Sequence, residues 1–81
     1  MEEALIIGVR HQPGHVLVTV AGEIDIVTAP HLRDRLAAAA ASGRRLVVDL
    51  DQVSFLGSAG LDVLAGAARQ ARARGGDLGV V

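Results

Sequence analysis

The 81-residue chain is long enough for one domain, and its 51% of hydrophobic residues excludes a disordered chain. A net charge of −1 and one aromatic residue, Phe55, give neither an electrostatic drive nor a stacking platform for nucleic acid. All eight basic residues are Arg and no Cys is present, which excludes a phosphate-loop Lys, disulfides, thiolate catalysis and Cys-type metal sites. Neither a membrane-spanning run nor a signal peptide is present, so a cytoplasmic location is expected.

The first two predicted elements are short strands. Residues 4–9 form an apolar run, and residues 15–20 (HVLVTV) are rich in β-branched side chains. Between them, residues 11–14 (HQPG) carry the Pro and Gly of a turn. The pattern predicts an antiparallel hairpin.

A helix is predicted after residues 22–27. Thr28 suits its N-cap and Pro30 its first turn, and Ser42 with Gly43 ends it. Apolar residues recur at helical spacing and predict the buried face: Leu32, Leu36, Ala39 and Ala40.

The second half of the chain repeats the strand–helix alternation. Residues 46–50 (LVVDL) predict a buried strand, residues 51–57 a loop, residues 58–74 a helix, and residues 78–81 a last strand. The predicted buried face of this helix consists of Leu61, Leu64, Ala67, Ala68 and Ala71. The order β-β-α-β-α-β predicts an α/β fold with a mixed sheet and helices packed on it. Because the last strand has barely begun at residue 81, the domain is expected to be incomplete at its C-terminus.

Acidic side chains are predicted to gather at one edge of the sheet. Parallel strands joined through helices place their carboxyl ends together, where binding sites collect in open α/β sheets. Glu23 and Asp25 follow the second strand, and Asp49 and Asp51 are placed at the end of the third. Asp25 and Asp51 also suit a simple turn or capping role. The opposite edge receives arginines that the helix dipoles account for, namely Arg44, Arg45, Arg72 and Arg74.

Ser58, at the start of the second helix, has two interpretations. It is either an N-cap or a phosphorylation site, since a phosphate at this position meets free N–H groups and the positive end of the helix dipole. A nucleophilic serine is excluded because Leu56 stands where an esterase elbow needs Gly. The GSAG segment is also too short for a dinucleotide loop.

Several segments together resemble a known family. Gly22-Glu23-Ile24-Asp25, then Thr28-Ala29-Pro30, then LVVDL and SFLGSAGLDVL, are similar to the STAS domain of bacterial anti-sigma-factor antagonists. The resemblance runs over the whole chain, without the family's C-terminal helix and most of its last strand. It implies a protein that binds an anti-sigma factor with serine kinase activity, is switched off by phosphorylation, and is restored by a phosphatase.

The resemblance also implies the site residues. Ser58 is the implied phosphoacceptor, and Asp25 matches an acidic residue associated with partner recognition. The implied partner-binding set is Glu23, Asp25, Thr28, Asp51, Gly57, Ser58, Ala59 and Gly60. The glycines are expected to let the partner's backbone approach closely. The family's usual Asp-Ser-Ser/Thr-Gly is here Gly57-Ser58-Ala59-Gly60, which weakens the argument for recognition by a kinase.

Two other functions are weighed against this one. The first is a STAS interaction module without phosphorylation, in a signalling assembly or attached to a lipid or anion transporter. The second is a small hydrolase or nucleotide-binding enzyme, which no base, metal cluster or phosphate loop supports. His11 and His15 flank the predicted turn without further ligands, so no metal is expected. No cofactor, nucleic acid or membrane partner is expected, and the oligomeric state is open.

Overall fold

A computed structural model describes residues 5–81 of the chain. It contains the predicted order of elements: β1 (Ile6–Gln12), β2 (His15–Ile24), α1 (Ala29–Ala40), β3 (Arg45–Leu56), α2 (Ser58–Ala73) and β4 (Leu78–Val80). The four strands form one sheet in the order β1-β2-β3-β4. The predicted β-β-α-β-α-β arrangement is therefore confirmed. Residue 4, where the first strand was predicted to begin, lies outside the described residues.

The sheet is mixed. β1 pairs antiparallel with β2 from Ile6↔Ala21 to Gln12↔His15, so the predicted hairpin forms with its turn at Pro13 and Gly14. β2 and β3 are parallel, as are β3 and β4. β2 continues four residues beyond the predicted strand and ends at Ile24.

β3 is more than twice as long as predicted, and the loop assigned to residues 51–57 is wrong. The strand continues to Leu56 through two irregularities in its pairing with β2. Thr19↔Asp49 is followed by Ala21↔Gln52, and Gly22↔Val53 by Glu23↔Phe55, so β3 holds one extra residue at each place. Such bulges interrupt the two-residue alternation by which a strand is identified in a sequence.

Helix α1 begins and ends where the sequence predicts. Thr28 occupies the N-cap position and Pro30 the first turn, but the Thr28 hydroxyl does not cap the helix. After Ala40 the chain turns through Gly43, whose φ of 73° suits glycine. All four residues predicted for its buried face are buried, and Ala29 joins them.

Helix α2 has a buried face that differs from the prediction in its first turn and at Ala68, which was predicted to be buried but is only half-buried. Its buried residues are Gly60, Leu64, Ala67 and Ala71, at spacings of four, three and four. Leu61 was predicted to be buried but is 55% exposed, because Gly60 occupies the inward position and the next residue is rotated by about 100°.

Both helices pack on the same face of the sheet and form one core. Alternate residues of β2 and β3 meet the apolar faces of α1 and α2 in a single cluster. Its fully buried larger members are Val16, Val18, Val20, Ile24, Leu32, Leu36, Leu46 and Val48. Small aliphatic side chains thus allow the two helices to lie close to the sheet and to each other.

Gly60 sets how closely α2 approaches the sheet. A Cβ at this position would lie 2.6 Å from Cγ2 of Ile24 and 2.6 Å from Cδ1 of Leu56. Carbon atoms that are not bonded to each other do not approach so closely, so any larger residue would displace the start of α2 or the ends of β2 and β3.

We expect the Gly60→Ala substitution to destabilise the fold by about 1 to 2 kcal/mol, because overpacking outweighs the gain in helix propensity. Gly66→Ala in the same helix is the matched control, since a Cβ there meets only the end of Arg69 at 3.7 Å. That control should gain about 0.5 to 1 kcal/mol. Urea unfolding measures both, and equal stability of the two variants would contradict the close approach at Gly60.

Candidate functional site

Ser58 is exposed at the first position of α2. The N-cap position belongs to Gly57, so the N-cap interpretation of Ser58 is wrong. Gly57 offers no side chain, and within residues 5–81 no side chain caps this helix. The Gly57 carbonyl accepts the N–H groups of Gly60 at 3.0 Å and Leu61 at 3.1 Å. The earlier N–H groups, those of Ser58 and Ala59, stand at the open end of the helix.

The start of α2 is joined directly to the end of β2. The N–H of Gly57 donates to the carbonyl oxygen of Ile24 at 2.9 Å. In the sheet, Glu23 lies opposite Phe55 and Ile24 opposite Leu56. The structure therefore brings the exposed Glu23 and the residues that follow β2 to the same sheet edge as Ser58, as the sequence predicts.

Asp25 and Thr28 form a hydrogen-bonded turn between β2 and α1. Oδ1 of Asp25 accepts the N–H groups of Val27 at 2.9 Å and Thr28 at 3.0 Å. In return, the N–H of Asp25 donates to Oγ1 of Thr28 at 3.0 Å. The Thr28 hydroxyl donates to the carbonyl oxygen of Glu23 at 2.8 Å, and Oγ1 lies 3.2 Å from Oδ1 of Asp25. The turn role weighed for Asp25 is thus present in the structure.

These hydrogen bonds favour the ionised form of the Asp25 carboxyl. The N–H of Thr28 is the largest influence, and together with the N–H of Val27 and the Thr28 hydroxyl it lowers the pKa of the Asp25 carboxyl, despite an opposing effect of partial desolvation. All of these donors stabilise the ionised form. Asp25 therefore contributes a fixed negative charge to the sheet edge that carries Ser58.

Asp51 does not lie at this edge, so its predicted place at the end of the third strand is wrong. It precedes the end of β3 by five residues, which is about 16 Å of extended strand. Its N–H donates to Oδ1 of Asp49 at 2.9 Å, beside the first irregularity of β3. Asp49 itself pairs with Thr19 inside the sheet. β3 continues to Leu56, beyond the predicted end at residue 50, and this additional length of strand separates both carboxylates from Ser58.

Gly60 also differs from its predicted role. It is buried, and the space left by its missing side chain is filled by Ile24 and Leu56 of the same chain. The glycine serves internal packing, so it offers no backbone surface to a partner. Gly57 and Ala59 are half-buried on either side of the exposed Ser58.

Four exposed apolar side chains lie on the elements that meet at this edge, and the sequence patterns did not identify them as site residues. Ile26 and Val27, in the turn after β2, are each 80% exposed. Phe55, near the end of β3, is 53% exposed, and Leu61 lies one turn into α2. Half of the eight exposed large hydrophobic residues among residues 5–81 thus belong to the elements that meet at this edge. The one available signal was two apolar residues inside a polar turn.

The opposite edge carries the predicted arginines. Arg44 donates to the carbonyl oxygen of Gln12, and Arg45 lies 3.6 Å from Asp77. The two histidines near the hairpin turn cannot share a metal ion. His11 lies opposite the buried Val16, and His15 opposite Gln12, so their side chains emerge on different faces of the hairpin. In the described part of the chain, no helix is long and apolar enough to cross a membrane.

Residues 7–81 match the model of the STAS domain family, so the chain belongs to this family. Over 72 residues, 89% of the chain, it is 36% identical to the anti-sigma-B factor antagonist of Bacillus subtilis and spans 66% of that protein. It is also 36% identical over 64 residues to the anti-sigma-F factor antagonist RsfB of Mycobacterium tuberculosis, covering 78% of the chain and 52% of RsfB.

The solved structure of an anti-sigma factor antagonist from Mycobacterium paratuberculosis superposes with a TM-score of 0.86 at 40% identity. That superposition covers 95% of the chain and 66% of the mycobacterial protein. The chain therefore spans between about half and two thirds of these relatives.

Titration of Asp25 tests the geometry of the turn. Because its pKa is lowered on folding, the stability that this carboxylate contributes is complete above the ordinary aspartate pKa of about 4 and is lost as the pH falls through the lowered value. Carbon-13 NMR of the carboxyl carbon should record a pKa below the ordinary value, and Thr28→Val should move it upward by removing one donor. An Asp25 pKa at or above the ordinary value would contradict the turn.

Proposed function

We propose that this STAS domain is an anti-sigma-factor antagonist that binds an anti-sigma factor through the sheet edge around Ser58 and thereby releases a sigma factor. The observation that carries the proposal is an exposed serine at an open helix N-terminus, beside exposed apolar and acidic residues. The names of the relatives support it, since three proteins with 36 to 40% identity are anti-sigma factor antagonists. In this function the domain is a binding protein and catalyses no reaction.

The proposed surface combines apolar contacts with fixed charge. The four apolar residues defined above offer area whose burial drives association. Glu23 and Asp25 add negative charge at the same edge, which speeds docking to a surface of opposite sign. Thr28, Gly57 and Ala59 belong to the proposed surface through their place beside these residues, whereas Asp51 and Gly60 are left out.

Phosphorylation of Ser58 by the anti-sigma factor is the proposed switch. The hydroxyl is accessible, and the Ser58 and Ala59 N–H groups lie at the positive end of the 16-residue helix α2, where a phosphate is tolerated. The modification adds about −1.5 to −2 charges beside Glu23 and Asp25. The fold is retained, but a bulky, highly charged group now stands where the partner packs over Ser58, and the cost of its clash and desolvation breaks the complex. A phosphatase would restore the hydroxyl and with it the binding.

The alternative is an interaction module that binds without phosphorylation. Gly57 and Ala59 favour it, because they replace the acidic residue and the second hydroxyl that the family usually places around the acceptor serine. The same surface would then serve a signalling assembly or a transporter. The two functions differ in whether a charge at residue 58 controls binding.

The test compares Ser58→Ala and Ser58→Glu in binding to the anti-sigma factors of the source organism, by isothermal titration calorimetry. We expect Ser58→Ala to bind like the wild type and Ser58→Glu to lose about 2 kcal/mol or more, roughly thirtyfold in affinity, because a longer, charged side chain would be desolvated without a hydrogen-bonded counter-charge where the partner packs over residue 58. Ser42→Glu, at the opposite edge of the molecule, is the matched control and should bind normally.

Each outcome decides between the functions. Equal affinity of the two Ser58 variants would reject the switch and leave the unphosphorylated interaction module. Failure of the wild-type protein to bind any anti-sigma factor of its organism would reject the antagonist function. Incubation of the wild type and Ser58→Ala with ATP and the bound anti-sigma factor, followed by mass spectrometry, locates any phosphate.

A further inference from the structure

The turn between β2 and α1 exposes two neighbouring apolar side chains. Ile26 and Val27 are the most exposed of the large hydrophobic residues in the described part of the chain, whereas Ile24 before them and Ala29 after them are buried. Single exposed apolar residues are ordinary on a protein surface. Two adjacent β-branched residues that make no contribution to an otherwise complete core are a stronger sign of a contact surface.

The turn that carries these residues is held rigidly. Asp25 Oδ1 binds the N–H groups of Val27 and Thr28, and Thr28 Oγ1 binds the N–H of Asp25 and the carbonyl of Glu23. The Asp25 carbonyl also accepts the N–H of Ala29 at 2.8 Å. Polar groups on both sides of Ile26 and Val27 are therefore occupied within the turn, and the two apolar side chains are directed outward.

This turn is continuous with the Ser58 surface. β2 ends at Ile24, whose carbonyl accepts the N–H of Gly57, so the residues that follow β2 begin beside the start of α2. A partner that covers Ser58 therefore reaches the turn as well. Oδ1 of Asp25 is engaged with two backbone N–H groups of the turn, so this oxygen has a structural role that does not depend on a partner.

We propose that Ile26 and Val27 form the apolar anchor that the anti-sigma factor buries, and that Asp25 and Thr28 are positioning residues that hold this anchor. The inference rests on the proposed function, which names the occupant of the surface. An anchor already fixed in its bound shape loses little conformational entropy on docking, so the apolar area is converted efficiently into affinity. Asp25 then affects binding through the shape of the turn, and the partner contacts Ile26 and Val27 directly.

The anchor is tested by replacing each of its two residues with serine and comparing the loss of affinity with that of an exposed isoleucine elsewhere. Ile26→Ser and Val27→Ser should each weaken binding to the anti-sigma factor about tenfold, as expected for removing one buried aliphatic side chain from an interface. Ile6→Ser is the control, since Ile6 is also exposed at 66% but lies at the start of β1. It should bind within about twofold of the wild type. Equal losses for Ile26→Ser and Ile6→Ser, or no loss at Ile26 and Val27, would overturn the anchor.

The positioning role is tested by conservative replacement. Asp25→Asn keeps an oxygen acceptor without the charge, and Thr28→Ser keeps the hydroxyl, so both should retain binding within about threefold. Asp25→Ala and Thr28→Val remove the turn hydrogen bonds and should weaken binding about tenfold although Ile26 and Val27 are intact. Hydrogen exchange of the Val27 and Thr28 amides, followed by NMR on the free protein, should accelerate in Asp25→Ala and remain slow in Asp25→Asn.

The results separate this inference from the proposed function. If Asp25→Asn loses as much affinity as Asp25→Ala while its amides stay protected, the partner reads the charge and the positioning role is wrong. If the wild type binds no anti-sigma factor, the proposed function fails and the anchor loses its occupant. The amide exchange of the free protein still decides in that case whether Asp25 and Thr28 hold the turn.

Discussion

The close seating of helix α2 on the ends of β2 and β3 is the constraint on which the rest of the site depends. Gly60 permits it, because a Cβ there would overlap Ile24 and Leu56. The hydrogen bond from Gly57 to the carbonyl of Ile24 then fixes the start of the helix relative to β2. Ser58 is exposed because Gly60 faces the core, and a residue two positions earlier in a helix lies about 200° away, on the opposite side. A glycine chosen for packing thus places a hydroxyl at the surface, beside the turn that follows β2.

The backbone N–H groups at the starts of the two helices differ in whether they have hydrogen-bond partners. Before α1, the Asp25 carboxylate and the Thr28 hydroxyl bind the backbone of the turn, which therefore has its own anion and little need of another. Before α2, Gly57 brings neither charge nor hydroxyl, so the first N–H groups of this helix face outward. Only the start of α2 has both a hydroxyl that can accept a phosphoryl group and free backbone N–H groups that can bind the added phosphate. The difference between the two helix starts places the proposed modification on α2 and the proposed anchor on the turn before α1.

The sequence predicts the elements well where their side chains alternate between core and solvent. β2, α1 and most of α2 were identified because one face of each packs into a single core, and hydrophobic spacing reports that face directly. The prediction from hydrophobic spacing is wrong for residues 51–56, because two extra residues in β3 break the alternation although backbone pairing with β2 continues. Leu61 was misassigned for a related reason, since a glycine at residue 60 carries no hydrophobic signal yet occupies the inward position. Asp51 was placed at the edge only because β3 was expected to end too early.

The apolar side chains of the proposed binding surface show why such a surface is harder to predict than a core. Core residues can be recognised in a sequence because a helix or strand directs them to the interior at a fixed spacing, so apolar residues repeat at that spacing. Ile26 and Val27 lie in a turn without a period, and their exposure follows from the hydrogen bonds that Asp25 and Thr28 make around them. Those bonds depend on where β2 ends and how the chain enters α1, which no single residue specifies. Because the Asp25 carboxylate and the Thr28 hydroxyl hold the turn, the side chains of Ile26 and Val27 take no part in holding it, and their replacement should leave the fold intact. The proposed anchor therefore lies where folding constrains the side chains least.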